Sequence, residues 1–195
     1  MEKTGPVTGD GQERDRHEWP TPGKTENLEK GSTMIGEKMQ AALNEQIKHE
    51  LESGYLYLSM ATYFHEQNLD GMAHWMKLQE AEEREHAMKM FDHLIERGGT
   101  VELKALSEPQ REWESPLDAF KAAYEHEKFV TSKIHDLVNL ADEEGDLAAK
   151  AMLQWFVTEQ VEEEDHASGI VNMLERVGDS GNGIMMVDRE LGRRE

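Results

Sequence analysis

The sequence predicts an all-α protein: a four-helix bundle with one long crossover and a short fifth helix at the C-terminus. Three observations predict it. Apolar residues recur at steps of three and four along four long stretches. Glycine, proline and capping residues punctuate the gaps between them. One gap is far longer than the others. The first stripe runs Leu43, Ile47, Glu50, Gly54, Tyr57, Ala61, Phe64, and Asn68 to Gly71 breaks it. The second runs Met76, Gln79, Glu83, His86, Met90 and ends at Gly98-Gly99, where glycine accepts a left-handed turn. Ser115 and Pro116 open the third as cap and first helical residue. That stripe is Phe120, Ala123, Glu127, Val130, Ile134, Leu137, Ala141. Gly145 separates it from Leu153, Phe156, Gln160, Glu163, Ala167, Ile170, Leu174, Val177. A last short segment, Ile184 to Arg193, follows the glycines between 178 and 183.

The long gap fixes the topology. Gly99 to Ser115 is 17 residues. Extended, that chain reaches ~55 Å, whereas a 28-residue helix is ~42 Å long. The link can therefore cross the whole bundle and leave helices two and three parallel. Residues 1–33 stand apart. They hold Pro6, Pro20 and Pro22, five glycines and few apolar groups, too few to offset their ordering entropy. They read as a flexible extension or an added leader, with Met34 as a natural start.

Composition narrows the function. Among 195 residues, 21 Lys+Arg face 41 Asp+Glu, for a formal net charge of -20. This argues against a nucleic-acid partner and suits a protein that attracts cations. No apolar run approaches a membrane span and no signal peptide is evident, so a cytoplasmic location is expected. Cys is 0, which removes disulfides, thiolate metal sites and cysteine nucleophiles. A metal here has to use Glu, Asp and His.

The stripes carry polar interruptions: Glu50 on the first, Glu83 and His86 on the second, Glu127 on the third, Gln160 and Glu163 on the fourth. A carboxylate on a core stripe is costly unless paired or metal-bound. Four in one core would repel, and divalent cations resolve that repulsion. The interruptions also repeat. Glu50 to Glu83 and Glu127 to Gln160 are both 33 residues, and the two halves are offset by 77. A pseudo-twofold pair of hairpins would gather these groups at the bundle centre. Di-iron carboxylate bundles use one Glu from each of two helices and Glu-x-x-His from each of the other two. The first half has the full set; the second has Gln160 and Glu163 in its place. Glu-x-x-His occurs twice, but Glu163/His166 puts its histidine one turn out, where it reads as a surface or secondary-site residue.

These residues carry a resemblance. The segments LNEQIKHELESGYLYLSMATYF, HWMKLQEAEEREHAMKMFDHLIERGG, YEHEKFVTSKIHDL and LQWFVTEQVEEEDH resemble a non-haem bacterial or archaeal-type ferritin subunit of the ferritin-like di-iron carboxylate family, over residues 34–195. The resemblance implies one iron held by Glu50, Glu83 and His86. It implies a second held by Glu83, Glu127 and Glu163, with Gln160 nearby, and a third site at Glu82, Glu159 and Glu162. Tyr57 matches a tyrosine beside the di-iron centre and Trp155 a tryptophan near it. Arg84 follows Glu83 where haem-binding relatives carry a ligating methionine, so no haem is expected. The implied activity is ferroxidase: Fe(II) oxidised by oxygen or peroxide and stored as ferric mineral in a 24-subunit homo-oligomeric cage, whose fourfold channels the last segment helps line. Two alternatives stay open, a di-iron redox enzyme acting on peroxide or another substrate, and a passive iron-carrier cage.

Overall fold

Helical periodicity and end signals act together along the chain. The computed structural model describes residues 33–194. The helices are α1 (Glu37–Glu66), α2 (Asp70–Glu96), α3 (Pro116–Glu144), α4 (Leu147–Val177) and α5 (Gly181–Leu191). The expected extension lies, but for residue 33, outside the described residues. Ser115 accepts a hydrogen bond from the Asp118 amide at 3.1 Å, and Pro116 follows it as expected. Gly98 and Gly145 take positive φ, 71° and 67°, and stop α2 and α3.

The fifth helix begins earlier than Ile184. Ser180 accepts from the Gly183 amide at 3.2 Å, so the cap starts the helix and carries two glycines into its first turn. Asp188 on α5 accepts from the Met72 amide at 2.9 Å, capping the start of α2. Here backbone meets backbone. A Cβ on Gly71 would lie 1.8 Å from the Asp188 carbonyl oxygen, so only glycine permits this approach.

The segment between α2 and α3 is extended and runs along α1. Gln40 and Asn44 hold Thr100, Glu52 accepts from Ser107, and Ser59 donates to the Gln110 carbonyl. Its anchors advance from residue 40 to residue 59 of α1, ~28 Å of helix. The crossover therefore spans the bundle, and α2 and α3 run parallel.

The core has two apolar halves. One gathers Tyr57, Phe64, Trp75, Trp113 and Phe120. The other gathers Met39, Leu43, Met90, Ile134 and Phe156. Buried polar residues from α1 to α4 lie at the helix levels between them. One further buried polar contact locks the far end. Arg97 grips both carboxylate oxygens of Asp146 at 2.7 and 2.8 Å and donates to the Thr33 and Met34 carbonyls. Both side chains of the pair are 9% exposed. Replacing Arg97 by Ala removes the counter-charge of Asp146 and leaves that carboxylate with the Ala149 amide, a loss of up to about 3 kcal/mol. Thermal unfolding should show a midpoint lower by up to about 12 °C, with metal uptake unchanged. An unshifted midpoint would refute the lock.

Candidate metal centre

Each helix of the bundle contributes to the polar layer because its stripe places a Glu, His or Gln where a core side chain would sit. Glu50 and Glu127 are each 1% exposed, Glu83 is 2% and His86 is 4%. One ligand atom from each of Glu50, Glu83 and His86 falls within 4.8 Å of the others. His86 Nδ1 lies 3.6 Å from Glu83 Oε2 and 4.0 Å from Glu50 Oε2. Those two carboxylate oxygens are buried and have no hydrogen-bond partner among the described residues. A buried orphan oxygen is costly, and two beside an imidazole nitrogen form an N/O donor set that suits iron.

The remaining carboxylates are steered by neutral groups. The Tyr57 hydroxyl donates to Glu127 Oε1 in a short hydrogen bond. Gln160 Nε2 approaches Glu127 Oε2 at 3.4 Å and donates to Thr131 Oγ1 at 3.2 Å. Gln46 donates to Glu50 at 3.0 Å, and Gln79 donates to Glu163 at 2.7 Å. Electrostatics follow from this crowding. Burial and the neighbouring Glu127 and Glu50 push the Glu83 carboxyl well above the usual range. Burial raises Glu127 to about 8, opposed by the Tyr57 hydrogen bond. Burial likewise raises Glu163. Tyr57 is pushed up by burial and by Glu127, so it stays a neutral donor.

Glu50, Glu83, His86, Glu127, Gln160 and Glu163 all enter the buried layer, and Trp155 packs edge-on to His86 at 5.4 Å. The accessory carboxylates divide. Glu159 joins His86 and Glu163 in a second group with ligand atoms within 4.8 Å. Glu82 is instead gripped by Arg194 at 2.9 and 2.6 Å. Glu82, Glu159, Glu162, Glu163, His166 and Arg194 line one cavity of about 230 Å³. Gln46 and Gln79 are site residues that sequence reading missed. Each precedes a layer glutamate of its own helix by four residues, Gln46 before Glu50 and Gln79 before Glu83, which was the available signal. Arg194 gives no local signal.

Comparison with known proteins shows what the chain is similar to. The ferritin-like domain profile matches residues 40–177. A bacterial non-heme ferritin of Bacteroides fragilis is 45% identical over 161 residues, covering 83% of this chain and all of that protein. One from Staphylococcus aureus is 34% identical, covering 83% and 97%. Among solved structures, an open pore ferritin from the archaeon Archaeoglobus fulgidus superposes with TM-score 0.82 at 52% identity, covering 83% of this chain and 99% of that one. On the profile match, these identities and the mid-bundle layer, the chain belongs to the ferritin family.

Proposed function

We propose that this protein stores iron and oxidises it on the way in. Two Fe(II) bind in the mid-bundle layer as substrate, one among Glu50, Glu83 and His86, the other among Glu83, Glu127 and Glu163. Each gives one electron to dioxygen, which takes two electrons and two protons to become hydrogen peroxide. Fe(III) then passes on to a ferric mineral inside a hollow homo-oligomeric cage of 24 subunits. The observation that carries this reading is the pair of orphaned buried oxygens, Glu50 Oε2 and Glu83 Oε2, facing His86.

The chain's own groups do the positioning. Glu83, grouped with Glu50 and His86, would also serve the second set in this reading. Tyr57 holds Glu127 and favours its charged form. Gln46 and Gln79 fix the rotations of Glu50 and Glu163. Glu82, Glu159 and Glu162 form an accessory station on the cavity beside the layer, and hard Fe(III) is well matched to their oxygens. The net charge of -20 draws cations toward such a site. On α5, Met185 and Met186 are 54% and 72% exposed, a surface suited to burial between subunits. No described helix is long and apolar enough to cross a membrane, in keeping with a cytoplasmic protein.

The test is aerobic oxidation of Fe(II) by metal-free protein, first at two iron per chain and then in large excess. Rapid oxidation followed by growth of a soluble mineral is expected. Oxidation that halts after two iron with no soluble mineral would favour a di-iron redox enzyme. Mineral formed without rapid oxidation would favour a passive carrier cage.

A further inference from the structure

The C-terminal tail places a cation inside the accessory cavity. Three residues after α5, Arg194 lines the cavity with its side chain 22% exposed. Its placement is anchored on several sides. His74 Nε2 lies 2.9 Å from the Arg194 carbonyl oxygen. The guanidinium stacks over Trp75 at 5.1 Å. Nη2 donates to both Glu82 oxygens, and Nη1 donates to Gln79 Oε1 in a short hydrogen bond. Asp188 fixes α5 against the start of α2, so the tail leaves from a defined point.

The link through Gln79 has a direction. A guanidinium can only donate, so the Gln79 oxygen must face Arg194 and its NH₂ must face Glu163. Arg194 thereby sets which end of a buried amide meets a candidate iron ligand. It also occupies Glu82, which, like Glu162, lies outside the second metal-capable group of His86, Glu159 and Glu163.

We propose that Arg194 is a positioning residue, a built-in counter-charge that keeps Glu82 from metal and holds Gln79 on Glu163, so that a third cation enters the cavity only by displacing it. The inference rests on the iron-storage reading and deepens it. A cation that must expel a resident positive charge binds weakly and leaves readily, as a station for iron in transit requires. The two iron of the buried layer do not compete with the guanidinium for Glu82.

Calorimetric titration of the metal-free cage under anaerobic conditions tests this, with Fe(II) and, in a parallel arm, Zn(II). Wild-type protein should show two tight metals per chain and a weaker third. Arg194→Ala should tighten the third step at least about tenfold, because a fixed positive charge a few ångströms away is gone. Arg194→Lys should keep the third step within about threefold of wild type, since charge survives without the fork. Adding Glu82→Gln to Arg194→Ala should cancel the gain. Sedimentation confirms that the variants assemble alike. A third step that is the same in wild type and Arg194→Ala overturns the proposal, as does a gain that survives Glu82→Gln. Absence of the tight pair in wild-type protein would instead overturn the ferroxidase reading.

Discussion

Glu83→Gln should slow oxidation of the first two Fe(II) per chain at least about 100-fold, while raising the thermal stability of the metal-free protein. Substitutions in the shell around a metal cost 10–100-fold, and a ligand shared by two metals should cost no less than the upper figure. The gain in stability has a separate cause. Glu83 is buried beside Glu50 and Glu127 and its carboxyl is held protonated well above the usual range. Burial and the neighbouring carboxylates make this group costly to keep in the metal-free core, whether by protonation or as buried charge. Glutamine is neutral without that cost and keeps the shape of the side chain. The unfolding midpoint should therefore rise. Stopped-flow absorbance and scanning calorimetry on one preparation read both effects. Slower oxidation with lower stability would mean that Glu83 supports the fold rather than the metal.

The second large effect is a reversal of pH dependence on metal binding. In metal-free protein Glu127 titrates near 8, and Glu83 and Glu163 are also raised. Between about pH 4.5 and 8 the native state keeps a proton on Glu127 that the unfolded chain has already lost. Stability must then fall as pH rises through that window, by about 1.4 kcal/mol per pH unit for each such proton. Metal needs the carboxylate, so binding expels these protons and weakens as pH falls below 8, by about tenfold per pH unit per proton. Metal-free protein should melt at lower temperature at pH 8 than at pH 5, and metal-loaded protein should not. Glu127→Gln should remove its share of the slope. Equal pH profiles with and without metal would contradict the assignment of these protons.

The bundle was legible because its signals are local. Stripe spacing, the Ser115-Pro116 start and the Gly98 and Gly145 stops each act within one or two helical turns. The length of the crossover alone fixed the direction of α3. The start of α5 was not legible, because glycines at 181 and 183 look like loop until Ser180 is seen capping them. The layer residues Glu50, Glu83, His86, Glu127, Gln160 and Glu163 could be picked out because each interrupts an apolar stripe in a 77-residue register. What could not be picked out depends on tertiary paths. Arg97 reaches Asp146 across 49 residues, and Arg194 returns to Glu82 from 112 residues away. Nothing in the spacing of a sequence encodes such returns.

The most direct test of the central claim is where iron sits. Crystals of metal-free protein soaked anaerobically with Fe(II), with anomalous data collected at the iron edge, would locate it. The account predicts two peaks per chain inside the bundle, one among Glu50, Glu83 and His86 and one among Glu83, Glu127 and Glu163. Iron found only at surface carboxylates, with the buried layer vacant at saturating Fe(II), would contradict it.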